Sequence, residues 1–435
     1  MSEAGRSERR DGADRTAPRS SGPEGGPGGL SVYATQAHGA VPRRLPLSPG
    51  AIGLVGAIYV HFLLFAQFGF LQGIRASGHT SDVVHGVLAA MALAGIVSSF
   101  VAAALLRRVG ARVVAAVGFL LAAVAGGLAG VYFVDTRVGA GVLGGIAVCT
   151  GAGLGAATVA TAVLLRRFTG GCRLGLAVGL GTGLAYLLCN IPVVFAASPA
   201  LKGWVSAGAA AVGGAAALFG SARSGLSPEE PEGRLSMSAT VVAATAAFLA
   251  LVWFDSVVFA RVQIAPELRG AFWSGTPRLL VIGVTHGIAA AVAGVMLDRG
   301  RMVLTLAIAF LLLVIGYLGF ETGGSMGWEA PAYAAGVSLY STALAAFAAL
   351  GPGGRTLAPE WRAAWIYAVA GWIGSGAGVG LVEQVARVPL WAAPAAAVVL
   401  MGSLAILYRV GAPWLVGGAG GGVSSDRGDP RKYRA

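Results

Sequence analysis

An aspartate inside an apolar run is the residue in this sequence best placed to do chemistry. Asp255 lies in Leu251-Val-Trp253-Phe-Asp255-Ser256-Val-Val-Phe259. It precedes Arg261 by six residues, so on a helix it sits roughly 9 Å from the end of the run. An uncompensated Asp at mid-bilayer costs about 2.5–3.5 kcal/mol on insertion scales. Groups kept at such a cost mark proton or sodium sites, or contacts to a cationic substrate. The other use is a structural hydrogen bond to a neighbouring Ser, Trp or backbone group. His286 is the natural partner. It follows Arg278 by eight residues, roughly 12 Å along a helix from the same face. On adjacent antiparallel helices the two share a depth and could form an Asp–His proton relay. Rotation about the helix axes is open, so a lone His286 against a packed or lipid surface fits equally. Tyr59, His61 and Gln67 form a third polar set, in the first apolar run.

These residues need a membrane around them, and the composition supplies it. Of 435 residues, 56% are apolar and 11% are Asp, Glu, Lys or Arg. Soluble domains carry roughly 25% charged residues. Mean hydropathy is +0.75. This excludes an ordinary soluble enzyme, and it excludes disorder over most of the chain. Cys149, Cys172 and Cys189 lack metal-ligand spacing and imply neither a disulfide framework nor a zinc site. No His-Glu-x-x-His, phosphate loop or aromatic-basic platform is present. No cofactor, metal or nucleic-acid partner is therefore expected.

Apolar stretches long enough for a ~30 Å hydrocarbon layer recur. They fall at 51–73, 83–105, 113–134, 139–165, 174–197, 200–221, 239–264, 278–297, 302–320, 331–351, 363–385 and 391–411. They lack the alternation of barrel strands, so an all-α membrane protein of twelve spans is expected. Residues 1–50 are polar and Gly-, Pro- and Arg-rich, which predicts a disordered tail without a signal peptide. Residues 222–238 hold Pro228, Glu229, Glu230, Pro231 and Glu232 and predict a polar linker, with six spans on either side. Bundles are then expected over 51–221 and 239–411, with a second tail over 412–435. With the amino terminus inside, 24 of the 31 Lys and Arg fall on the cytoplasmic side. The net charge of +12 is thus read as a topology signal. It predicts a multi-pass protein of the cell inner membrane with both termini cytoplasmic. Glycine runs such as Gly151 to Gly155, Gly179 to Gly183 and Gly371 to Gly380 lie inside spans, where small residues let helices pack closely.

Two loops resemble the major facilitator superfamily. That family marks its 2–3 loop with Gly-x-Leu-x-Asp-Arg-x-Gly-Arg-Arg. Here the stretch reads Ala103-Ala-Leu105-Leu-Arg107-Arg108-Val-Gly110-Ala-Arg112. Leu105, Arg108, Gly110 and Arg112 agree, while Arg107 replaces the acid. The 8–9 loop reads Gly294-Val-Met-Leu-Asp298-Arg299-Gly300-Arg301, the same order with one spacer fewer. The resemblance implies two six-helix bundles, alternating access, and a latch in which a loop acid faces the opposite bundle. Asp298 would keep that latch in the second half; a plain charged turn is the alternative. Arg166-Arg167-Phe-Thr-Gly-Gly-Cys-Arg173 before a Gly-rich span is similar to the 4–5 junction of monocarboxylate-type members. The first span, Gln67-Phe-Gly69-Phe-Leu-Gln72, lacks their acid.

The resemblance further implies that spans 1, 4, 7 and 10 line a central cavity. The candidates are then Tyr59, His61 and Gln67; Thr150, Thr158 and Thr161; Trp253, Asp255 and Ser256; and Tyr333, Tyr340, Ser341 and Thr342. Asn190-Ile-Pro192 predicts a kink, and Glu383 a place at the outer rim. No Lys or Arg is expected deep in a span, which favours a neutral, amphipathic or cationic solute. The monocarboxylate likeness points instead to an organic anion. The expectation is a monomeric, non-enzymatic transporter of a small solute, driven by protons or sodium. A membrane sensor and an intramembrane enzyme are the rival classes.

Overall fold

A computed structural model describes residues 47–134, 138–170, 173–221, 238–322, 327–350, 357–385, 388–389 and 391–410. The expected tails, as far as residue 46 and from 411, and the linker up to 237 lie outside the described residues. Everything described belongs to one unit of the fold.

Helix is the only regular structure among the described residues. In chain order the long helices are α1 Pro49–Ala76, α2 Ser81–Val109, α3 Ala111–Tyr132 and α4 Ala140–Thr169. α5 Leu174–Cys189 and α6 Pro199–Phe219 follow. Then come α7 Ala239–Ile264, α8 Thr276–Asp298, α9 Met302–Glu321, α10 Glu329–Leu350 and α11 Pro359–Val385. The last is α12 Ala392–Val410. Ten of these are long and apolar enough to cross a membrane, the exceptions being α5 and α6. α5 has 16 residues, and α6 is rich in Ala and Gly. The chain is thus a multi-pass, all-α membrane protein.

Local chemistry sets the helix ends. Ser48, Ser198 and Ser238 each accept a hydrogen bond from the backbone three residues on, at the starts of α1, α6 and α7. Such caps occupy amide groups that the first helical turn leaves unpaired. Pro follows at the first position of α1 and α6, where its missing N–H costs nothing. Gly110 joins α2 to α3 in one residue, at φ +85°. A side chain is strained in that conformation, so glycine belongs there. The expected 174–197 span is interrupted. Asn190 turns its side chain back to donate to the Tyr186 carbonyl (2.9 Å), and Pro192–Phe195 forms a separate turn of helix. A short helix, Pro266–Trp273, interrupts the α7–α8 connection and was not anticipated.

Burial separates inner helices from outer ones. α1, α4, α7 and α10 are the most deeply buried, and α2, α11 and α12 among the least. Apolar side chains cover the outside. Leu93 is 63% exposed, Leu120 62%, Ile288 62% and Val398 74%. In water such a surface would aggregate; in a bilayer it faces lipid chains. Glycines close the seams. A Cβ on Gly179 of α5 would stand 2.3 Å from the Ala290 carbonyl of α8, and one on Gly294 of α8 would stand 2.4 Å from the Gly175 carbonyl. Gly95 of α2 admits the Trp372 indole of α11, 2.1 Å from where a Cβ would lie. Only backbones free of side chains can approach so closely.

Two helices are locally unwound into wider turns. His61–Gly69 within α1 and Tyr367–Ile373 within α11 are π-helical. Such turns concentrate at functional sites because they re-aim side chains. Both stretches contribute to the cavity described next.

Candidate functional site

Between the inner helices lies a cavity of about 780 Å³. It is lined along α1 as far as Arg75, at the start of α2 by His85, along the second half of α7, and at the end of α11 by Glu383 and Gln384. It therefore reaches towards the end of the molecule where α1, α7 and α11 finish. That end is the mouth. The 107–112 and 298–301 turns lie at the other end.

Asp255 sits on the cavity wall, 8% exposed. Its carboxylate accepts short hydrogen bonds from the Tyr333 and Tyr340 hydroxyls, one to each oxygen. Tyr333 and Tyr340 are seven residues apart on α10, two helical turns, so both rings leave the same face. Hydrogen bonds to an ionised group are worth about 1.5–3 kcal/mol each, which offsets much of the cost of burying the acid. Ser256, next along α7, donates to Ser375 of α11 (3.2 Å).

Tyr59 of α1 donates to the Ser341 carbonyl of α10 (2.7 Å). Tyr186 of α5 lies 3.4 Å from the Ser341 hydroxyl. The Tyr186 ring stacks on His286 of α8, with centroids 4.1 Å apart and planes 12° from parallel. His286 Nδ1 meets the Ser338 hydroxyl at 2.7 Å. One polar knot thus ties α1 and α5 to α8 and α10.

Asp255 and His286 line one cavity but do not bond each other; each has its own partners on α10. The expected direct Asp–His pair is thus not formed: Asp255 is held by two tyrosines and His286 by a serine. Tyr59, Gln67, Thr158, Thr161, Ser256, Tyr333, Tyr340 and Ser341 line the cavity as expected. His61 does not. It is 1% exposed, and its Nδ1 lies 2.5 Å from Ser206 Oγ of α6. Trp253 stacks on Trp391 beside α12 (5.8 Å) and faces away. Thr150 bonds its own helix at the Ile146 carbonyl (2.7 Å). Depth was readable for these residues; helix rotation was not.

Sequence reasoning missed Tyr186 and Tyr367, because α5 and α11 were not counted among the cavity helices. Lys202 is 4% exposed, within α6, donating to Gln72 Oε1 (3.1 Å) with its ammonium 5.7 Å from the Phe195 ring centroid. Arg362 is 2% exposed in the first turns of α11. Cations are therefore buried in helices after all, although neither residue lines the cavity.

The far end is held shut by polar contacts. Asp298, closing α8, accepts from two backbone amides in the first turn of α5, Gly175 N (2.7 Å) and Leu176 N (2.9 Å). A carboxylate at a helix amino terminus satisfies unpaired amides and faces the positive end of the dipole. Arg107 Nε of α2 meets Glu360 Oε1 of α11 at 2.7 Å. Arg112 donates to the Leu218 (3.1 Å) and Gly220 (2.8 Å) carbonyls at the end of α6. Arg299 and Arg301 lie in the turn between α8 and α9 and at its end, and the Arg301 carbonyl accepts from Thr305 Oγ1 (2.9 Å). Arg108 is exposed in the last turn of α2. At the mouth, His85 of α2 and Glu383 of α11 approach to 2.9 Å.

The chain matches no protein-family model and no curated protein.

Proposed function

We propose that this chain is a secondary transporter of the major facilitator type, moving a small solute by alternating access under a proton gradient. The observation that carries this reading is the buried Asp255 on the wall of a cavity whose far end is tied shut by Asp298 and Arg107. An intramembrane acid beside a solute-sized cavity is the equipment of ion coupling. Polar contacts that close one end of such a cavity are the equipment of a gate.

Three further features support the type. α1, α4, α7 and α10 are the inner helices, as the superfamily resemblance implies. α2 meets α11 and α5 meets α8, two antiparallel pairs that join the halves of the chain. With α5 and α6 counted as spans, the layout is two groups of six, over 51–221 and 239–411. The distribution of Arg then favours both termini on the cytoplasmic side of the inner membrane. In this reading the chain acts as a monomer, without enzymatic chemistry. Asp298 is the second-half latch, and Arg107–Glu360 occupies the place of the missing first-half acid with the charge reversed.

The test is uptake into liposomes holding the purified protein, with potential clamped and pH as the driving force. The labelled solutes are an organic cation, a neutral solute and a monocarboxylate. Wild type is expected to accumulate one of them, and Asp255→Asn to lose accumulation while still exchanging labelled for unlabelled solute. Equal accumulation by the variant would remove Asp255 from coupling. Ligand binding without flux of any solute would favour a sensor.

A further inference from the structure

Around Asp255 the cavity presents hydrogen-bond acceptors. The Tyr333 and Tyr340 protons are committed to the carboxylate, and the Tyr59 proton to the Ser341 carbonyl. A phenol that donates keeps lone pairs to accept with. Thr158 likewise spends its proton on the Leu154 carbonyl of its own helix. A solute docking here meets a carboxylate flanked by oxygen lone pairs, an arrangement that favours a positive charge or an N–H donor.

Formal charge agrees. Asp255 is the one charged group deep in the lining among the described residues. Arg75, His85 and Glu383 belong to the mouth, and His85 and Glu383 pair with each other. Lys202 is occupied by Gln72 and lies outside the lining. Arg269 lines an adjoining cleft of about 460 Å³, which shares Phe195, Gln263, Ile264 and Trp273 with the cavity wall, and is not itself in the cavity lining.

The walls supply the rest. Phe62, Tyr186, Phe259, Tyr367 and Trp372 line the cavity from four helices. Aromatic faces attract cations, most strongly where water is excluded. Apolar walls with a few convergent polar groups suit a drug-sized ligand of mixed character.

We infer that the cavity binds an organic monocation with an apolar body, its charge held at Asp255 and its body against the aromatic wall. This rests on the transporter reading of the same cavity and narrows its substrate class. Proton and cation then compete for one carboxylate. The titratable groups that share its surroundings are Tyr333 and Tyr340 of α10, Tyr186 of α5 and His286 of α8, with Tyr59 of α1 and Tyr367 of α11 also in the lining.

Two ions of nearly equal size and opposite charge test this by calorimetry on the purified full chain: tetraphenylphosphonium and tetraphenylborate. The phosphonium is expected to bind wild type at pH 8 at least about tenfold more tightly than the borate. Asp255→Asn should weaken phosphonium binding by about tenfold or more, and Asp255→Glu should recover most of it. A second measurement stands should the variants fail to fold. On wild type, phosphonium binding should release a proton in the acid range and weaken as pH falls. Equal or tighter borate binding, unchanged phosphonium binding in Asp255→Asn, or pH-independent binding would each overturn the inference. Failure of the transporter reading is distinguishable. A monocarboxylate accumulated on the pH gradient would overturn the cation and leave transport standing. Phosphonium binding without flux of any solute would do the reverse.

Discussion

Asp255 is held by two phenols from one face of α10, and that arrangement has a cost if either donor is lost. Tyr340→Phe leaves one carboxylate oxygen without its partner, at about 1.5–3 kcal/mol. We predict that Tyr333→Phe and Tyr340→Phe each reduce proton-driven accumulation roughly 10- to 100-fold, and that the double variant resembles Asp255→Asn. Liposome uptake checks this. Full activity in the double variant would make the tyrosines simple packing. Asp255 was legible in the sequence because an acid within an apolar run needs a reason. The pairing of Tyr333 with Tyr340 could have been read from their spacing of two turns. The positions of His61 and Trp253 could not. Sequence gives depth along a helix, whereas the face turned to the cavity depends on how neighbours pack. The π-helical turn at His61–Gly69 shifts that face further.

Helices α2 and α11 carry the clearest consequence at the next scale. They run antiparallel with a polar contact at each end, His85–Glu383 at the mouth and the Arg107–Glu360 ion pair at the far end. Between them the Trp372 indole fills the space that Gly95 leaves. The Arg107 side chain is 54% exposed, so the pair is worth only about 0.2–1 kcal/mol in a static fold. That is enough to bias two states of similar energy. We predict that Arg107→Glu opens the far end by setting like charges together, and that adding Glu360→Arg restores closure. Cysteine accessibility at that end measures it; equal accessibility in all three proteins would show the contact to be incidental. Helix positions were legible from apolar length. The break at Asn190 was legible from its proline, and its hydrogen bond to Tyr186 is local. The burial of Lys202 was not, because it depends on Gln72 in a distant part of the chain.

As a whole, the molecule has an apolar exterior, four inner helices and a cavity closed at one end. The class was legible because lipid imposes its length and polarity on every span. The choice of closed end was not, since both ends carry charged residues and the balance between them is a matter of small energies. Alternating access requires two conformations, and a proton on Asp255 should shift their populations.

The most direct measurement places spin labels in pairs on the full chain, with its native cysteines replaced. Asp82 with Gln384 reports the mouth, and Arg167 with Arg299 reports the far end. In liposomes two distances are expected at each pair, with one pair lengthening as the other shortens between pH 8 and pH 6. Asp255→Asn should hold the ratio constant across that range. A single distance at each end, indifferent to pH and to Asp255, would contradict alternating access about this cavity.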